Sequence, residues 1–201
     1  MPVTASTLPT IKFLKQPTSS QWVDQAITNL DKVLLDHSHC EKKAAGVALN
    51  LIFRYPSHTK LVRMLTAIAQ EELAHFDQVN QFLEDRGVAI GLLSAPPYGA
   101  GLKAQIRSGE PHRLLDSLLI SGLIEARSHE RLGLLANHCP DPVLAQFYRG
   151  LMASEARHYG MYWVLATTYF EPSGVIERLE ALAIVESELL ATLHPEPRMH
   201  S

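Results

Sequence analysis

Two short strings in this chain place a glutamate three residues ahead of a histidine: Glu72-Leu-Ala-His75 and Glu155-Ala-Arg-His158. On a helix, residues three apart lie on one side, so each string can aim a carboxylate and an imidazole at a single cation. Each is preceded at nearly the same distance by a further glutamate. Glu41 stands 31 residues before Glu72, and Glu125 stands 30 residues before Glu155. Glu41, Glu72, His75, Glu125, Glu155 and His158 together form the ligand set of a two-metal carboxylate centre held between helices. Four carboxylates balance the charge of two divalent cations. Their oxygen and nitrogen donors favour iron or manganese over thiolate-preferring metals, and geometry alone leaves zinc open.

One E-x-x-H is weak evidence, because exposed helices are rich in both residue types. Here both copies, and both lone glutamates, interrupt stripes that are otherwise apolar. From Gln21 to Tyr55 the stripe runs Val23, Ile27, Leu30, Leu34, His37, Glu41, Ala44, Ala48 and Leu51, with Ser19 or Ser20 as a cap. Pro56 ends it. The next stripe, Leu61, Leu65, Ile68, Glu72, His75, Val79 and Phe82, closes at Gly87. A third carries Leu114, Leu118, Ser121, Glu125, Ser128, Leu132 and Leu135. The fourth starts at Asp141-Pro142, an N-cap followed by proline at the first helical position, and carries Leu144, Phe147, Leu151, Glu155, His158, Tyr162 and Leu165. Burying four carboxylates in such stripes without a metal would force protonation or carry a heavy desolvation cost.

These stripes predict bundle helices over about 20–55, 57–86, 111–138 and 141–170, with an extra amphipathic helix over about 174–193. The Gly- and Pro-rich stretch 88–111 reads as a long crossover, with room for a short helix over Leu102–Arg107, and the end from His194 as frayed. Two helix pairs joined by one crossover give an all-α, ferritin-like four-helix bundle with an additional C-terminal helix, here expected as a single domain over 1–201. The matched halves point to an internal duplication.

The chain has 201 residues, 46% of them hydrophobic and 19% charged, a mixture too apolar for disorder. Setting four of the 21 acidic residues aside as ligands leaves 17 against 18 Lys and Arg, a near-neutral surface with room for basic patches. Cys40 and Cys139 form no C-x-x-C pair, which excludes a rubredoxin-type module, and both read as reduced thiols. Neither a leader nor a membrane span is encoded, so a cytoplasmic protein is expected.

Other polar residues carry less. His37, one turn before Glu41, is a candidate partner for it, although a packing histidine is the commoner role. Glu71 is expected to face solvent, since only Glu72 continues the stripe, and Glu130 to sit on a solvated edge. Tyr162, one turn past His158, could bond toward the site; core packing is the commoner role.

Four strings carry a resemblance covering most of the chain: His37-Ser-His-Cys-Glu41-Lys-Lys-Ala-Ala, Glu71-Glu72-Leu-Ala-His75-Phe76, Ile124-Glu125-Ala-Arg-Ser-His-Glu130-Arg and Ser154-Glu155-Ala-Arg-His158-Tyr. They resemble the tRNA hydroxylase family that acts on methylthio-isopentenyl-adenosine, and all six ligand positions are present. The resemblance implies a di-iron monooxygenase with two iron ions and O2 as co-substrate, hydroxylating the isopentenyl side chain beside the tRNA anticodon. The two electrons would come from an external donor such as a ferredoxin or reductase, because no flavin or iron–sulfur motif is present. A monomer or dimer would suit this role. Ser121, Gly122 and Ser128 would leave room either for oxygen and the prenyl group or for close helix packing. Tyr98, Phe53, Tyr55, Arg54, Lys60 and Arg63 would suit an RNA-binding rim or a solvated helix junction. The same ligands would also fit a ferritin-like iron-storage or ferroxidase protein, or a helical RNA-binding module with a structural metal.

Overall fold

In the computed structural model, which describes residues 13–200, the chain is helical and those residues contain no strand. Four long helices form the bundle: α2 (Leu30–Arg54), α3 (Thr59–Asp85), α5 (His112–His138) and α6 (Pro142–Tyr169). Three shorter ones are α1 (Ser20–Thr28), α4 (Pro97–Lys103) and α7 (Pro172–Leu189). α2 lies along α3 and α5 along α6, while α1, α4 and α7 pack against α5. This is the ferritin-like connection of two helix pairs through a long crossover.

The apolar residues of the stripes gather into two clusters, one on each side of a polar band. Ala48, Leu51, Leu61, Leu65, Leu118 and Leu165 belong to one cluster. Val33, Leu34, Val79, Leu83, Leu132 and Leu144 belong to the other. A fully buried Leu or Val contributes roughly 1.5–3 kcal/mol, so these clusters can hold the bundle together without help from the band.

Local signals explain most helix ends. The Ser19 side chain accepts from the Trp22 N–H, and Asp141 accepts from those of Val143 and Leu144. Gly87, at φ 67°, ends α3 with Val88 N–H bonding back to Leu83 O. The first expected helix is instead two. At Asn29 the backbone leaves helical geometry (φ −134°, ψ 42°), the Asn29 amide bonds to Gln25 O, and Thr28 Oγ1 bonds to Asp24 O. Side chains that satisfy the preceding carbonyls let α1 stop while the apolar periodicity runs on. The second helix starts at Thr59 rather than Ser57. Pro172 is not a break but the first residue of α7, where its missing N–H costs nothing.

The crossover helix lies at 97–103 rather than over Leu102–Arg107, because Pro97 starts it and Tyr98 and Leu102, one turn apart, are both buried. Gly101 lets it touch α7: a Cβ there would stand 2.5 Å from Leu189 Cδ2. Asp116 ties the crossover down through Arg107 and Arg178 (2.7–3.2 Å). Burial works against its charge, but these bonds outweigh it and hold the carboxyl below its ordinary range.

The expectation of a frayed C-terminus is overturned. Pro197 to His200 are buried. Arg198 O accepts from Trp22 Nε1 (2.9 Å), Met199 N–H donates to Asp36 (2.8 Å), and Arg131 donates to Met199 O. The His200 ring stacks on Tyr98 at 5.0 Å and 7° and meets Ser128 Oγ at 3.1 Å. Deleting residues 197–201 should leave Trp22, Asp36 and Arg131 short of partners, at about 1–3 kcal/mol for each buried group. The expected result is a melting temperature lower by about 10 °C, read by circular dichroism; an unchanged melt would show the tail to be dispensable.

Candidate metal centre

The polar band brings all six sequence-derived residues together. Glu41 sits in mid-α2, Glu72 and His75 in mid-α3, Glu125 in mid-α5, and Glu155 and His158 in mid-α6. None is more than 8% exposed. They form two overlapping groups whose potential ligand atoms lie within 4.8 Å of one another: Glu41, Glu72, His75 and Glu155 in one, Glu72, Glu125, Glu155 and His158 in the other. Glu72 and Glu155 belong to both. The carboxylates of the two E-x-x-H strings are therefore the shared ones, while Glu41 and Glu125 each serve one group.

Both imidazoles turn Nδ1 inward. His75 Nδ1 lies 3.5 Å from Glu41, 3.8 Å from Glu155 and 3.9 Å from Glu72. His158 Nδ1 lies 2.7 Å from Glu72 and 4.0 Å from Glu155. Glu41 Oε2, Glu72 Oε1, Glu155 Oε1 and both inward Nδ1 atoms are buried with no hydrogen-bond partner. The close approach of His158 to Glu72 thus lacks the angle of a hydrogen bond. Orphaned buried donors and acceptors are rare in proteins, and five gathered in two overlapping groups fit a metal centre.

Electrostatics agree. Burial, followed by repulsion from neighbouring carboxylates, pushes Glu72 and Glu155 well above the ordinary carboxylate range. Glu125 is pushed up to about 7, mainly by burial. Burial acts on Glu41 too, but its surroundings, led by the adjoining His37 that bonds to it, outweigh burial and hold that carboxyl well below its usual range. Four such carboxylates cannot all ionise here without cations to neutralise them. Burial also lowers His158, keeping the imidazole neutral as a metal ligand must be.

The outward ring nitrogens are held differently. His158 Nε2 meets Glu71 Oε2 at 2.9 Å, and the same oxygen accepts from Arg157 Nη2 at 2.9 Å. His75 Nε2 meets only the Ser154 hydroxyl, at 3.3 Å. Glu71 is half-exposed as expected, but its bond to His158 was not foreseen. The adjacent Glu71-Glu72 pair was the available signal, since one residue of such a pair can ligate while the other braces the opposite helix. Glu71→Ala should weaken metal binding about 10- to 100-fold, and Ser154→Ala less, in an iron titration. Equal effects would contradict the asymmetry.

His37 Nε2 bonds to Glu41, making it the partner the spacing allowed. Tyr162 is core: it is 1% exposed, and its Cβ lies 3.4 Å from a Cβ built at Gly122. That contact, with Ser128 facing His200, shows close packing rather than open space beside Glu125. Glu130 is not on a solvated edge. It accepts from Thr18 N–H and Oγ1 and from Arg127, whose guanidinium also makes a two-point pair with buried Glu186 (2.8 and 2.9 Å). Tyr98 and Tyr55, 3% and 8% exposed, are too buried to stack on RNA, whereas Phe53 is 82% exposed.

Among the described residues, an opening between α3 and α6 reaches the band. A cleft of about 460 Å3 between α3 and α6 ends on His75 and Ser154, with Ala74, Phe147, Gly150 and Leu151 on its walls. Gln78, Gln146, Glu71 and Arg157 also line it. Among the described residues, no helix is long and apolar enough to cross a membrane.

Comparison with known proteins places this arrangement among relatives. The tRNA 2-(methylsulfanyl)-N(6)-isopentenyladenosine(37) hydroxylase of Pseudomonas putida is 40% identical, covering 94% of this chain and 92% of its own. The protein of the same name from Salmonella typhimurium is 30% identical, over 96% of this chain and 89% of its own. A solved structure described as "Protein 43 with aldehyde deformylating oxygenase activity from Synechococcus" is 50% identical over 95% of this chain and 96% of its own, with a TM-score of 0.93. A model of the family described as tRNA-(MS[2]IO[6]A)-hydroxylase (MiaE) matches residues 5–201, and the chain belongs to that family.

Proposed function

We propose that this chain is a tRNA-modifying di-iron monooxygenase that hydroxylates the isopentenyl side chain of 2-methylthio-N6-isopentenyladenosine beside the anticodon. The observation that carries the reading is the pair of overlapping buried Glu/His groups in a chain 40% identical, over nearly its full length, to a hydroxylase of that name. Glu41, Glu72, His75, Glu125, Glu155 and His158 would hold two iron ions. The bound iron would supply dioxygen activation, which converts a C–H to a C–OH with one O2, two electrons and two protons, the second oxygen atom leaving as water.

The protein's own part is positioning and exclusion. Glu72 and Glu155 tie the two groups into one unit, and Glu71 fixes the ring of His158 through Nε2. The two apolar clusters flank the band and keep water from it, so that an oxidising centre meets the substrate before it meets solvent. The electrons would come from an external ferredoxin- or reductase-type donor, and a monomer or dimer in the cytoplasm suits this role. Ferrous protein, prenylated tRNA, reductant and oxygen should give a hydroxylated nucleoside by mass spectrometry. No product from fully iron-loaded protein would sink the reading.

A second reading, oxygen-dependent deformylation of an aldehyde, draws on the activity named for the 50% identical Synechococcus protein. The partly polar lining of the cleft, with Gln78, Gln146 and Arg157, suits a nucleoside better than an aliphatic chain. Incubation with a fatty aldehyde in place of tRNA separates the two. An iron-storage role is not favoured by these relatives, and a hollow many-subunit assembly on sizing would be needed to revive it.

A further inference from the structure

A glycine in mid-helix costs about 1 kcal/mol relative to alanine, so it calls for a reason. At Gly122 a Cβ would stand 3.4 Å from Tyr162 Cβ, in ordinary contact. Gly150, inside α6, has a negative φ, and a Cβ built on it meets nothing within 4 Å. Neither a turn nor a close approach requires glycine there. Gly46 and Gly160 are equally open, but among these only Gly150 lines the cleft that ends on His75.

The cleft treats the two metal groups unequally. His75 and Ser154 form part of its lining, while His158, 1% exposed, lies behind the Glu71–Arg157 pair. A substrate entering here meets the Glu41–His75 group first. At about 460 Å3 the space falls within the ~300–1,000 Å3 of small-molecule pockets. That suits one nucleobase with its side chain and is far too small for a stacked stem. Enzymes that act on a base take it out of the stack.

We propose that this cleft takes the prenylated adenine as a single base turned out of the RNA, side chain first toward His75, and that Gly150 sets the width that admits it. The inference rests on the hydroxylase reading. Ala74 and Leu151 provide an apolar wall for the prenyl group, and Phe147 a ring face for the purine. Gln78 on α3 and Gln146 on α6 bring amides that can both donate to and accept from purine nitrogens. Phosphate contacts, which supply most RNA affinity, lie outside the cleft.

The test is Gly150→Leu in the full chain, with Gly150→Ala and Gly46→Leu as companions. All three should load iron and melt no lower than the wild type, with a gain of about 2–4 °C for the removed mid-helix glycine. Gly150→Leu should lose about 100-fold in kcat/KM on prenylated tRNA, because the reacting methyl no longer reaches its place. Gly150→Ala should lose an intermediate amount, about 10-fold, and Gly46→Leu, outside the cleft, should stay within about threefold. A second readout needs no turnover: by calorimetry, zinc-loaded wild type should bind free 2-methylthio-isopentenyladenosine, and zinc-loaded Gly150→Leu should not. Unchanged kcat/KM and nucleoside binding in Gly150→Leu would overturn the cleft assignment while leaving the hydroxylase reading intact. Wild type that binds the nucleoside but never hydroxylates it would instead overturn the hydroxylase reading and leave the cleft standing. Absence of nucleoside binding to the wild type would overturn the cleft.

Discussion

Glu72→Ala and Glu155→Ala are each expected to lose both metal ions and all turnover, whereas Glu41→Ala and Glu125→Ala should each lose one ion. The difference follows from the sharing of Glu72 and Glu155 between the two groups. Removing a shared carboxylate takes an oxygen from each group and breaks the charge balance of both. Removing a terminal one spoils a single group and leaves the other with its full set of four residues. Helicity should survive in every variant, because the two apolar clusters stand on either side of the band and do not depend on it. Iron per chain, set beside a circular dichroism spectrum, reads both quantities at once. Glu72→Ala with the wild-type iron content would refute the shared assignment.

The second large effect is an unusual pH dependence of the iron-free protein. Folding raises Glu125 from an ordinary 4.5 to about 7, and raises Glu72 and Glu155 as well. In that range these three carboxyls bind more protons in the native state than in the unfolded state, so their contribution to stability is greatest at low pH and falls as pH rises above about 4.5 through 7. Glu41, held low, acts in the opposite sense only below about 4.5, while His158 and His200, held low by burial, oppose the decline within the window, two groups against three. Glu125 alone accounts for a loss on the order of 3 kcal/mol, since each pKa unit is worth about 1.4 kcal/mol. Iron replaces the protons as counter-charge, so the loaded protein should escape this decline. Melting temperatures from pH 5 to 8, with and without iron, check it. Parallel curves for the two forms would contradict a centre that trades protons for metal.

Much of the site could be read from residue order because its determinants are local. A spacing of three places Glu72 with His75 and Glu155 with His158 on one side of a helix whatever surrounds them. The cap at Asp141, Pro142 at the first helical position and Gly87 at a helix end act over a few residues and stood where expected. What escaped was long-range. Asn29 breaks the first helix through side-chain bonds that leave the apolar period untouched. Glu130 reads as a solvated edge, yet it is largely covered and its neighbours Arg127 and Arg131 are buried because Glu186, Thr18 and the chain's end arrive from distant positions. The same arrival turns a polar tail expected to fray into a buried one. Tyr98 passes for an exposed loop aromatic until His200 is seen stacked upon it.

The exposed residues suggested for an RNA rim lie apart from the cleft. Phe53, Arg54, Lys60 and Arg63 cluster around the α2–α3 junction. The cleft opens around Glu71 to Gln78 and Gln146 to Arg157, more than two turns further along α3 from Lys60 and Arg63. Basic and aromatic residues near each other in sequence mark a surface, but only the packing of α3 against α6 decides where the centre can be reached.

On the proposed function, the Glu/His centre of this chain would transfer an atom of dioxygen to the prenyl side chain of a tRNA nucleoside. The most direct test of this transfer is a turnover of the ferrous protein with prenylated tRNA and reductant under isotopically labelled dioxygen, followed by mass spectrometry of the digested nucleosides. The result expected is a hydroxylated nucleoside carrying the label on its isopentenyl group, formed by wild type and absent with Glu155→Ala. A product without the label, or the same labelled product from Glu155→Ala, would contradict it.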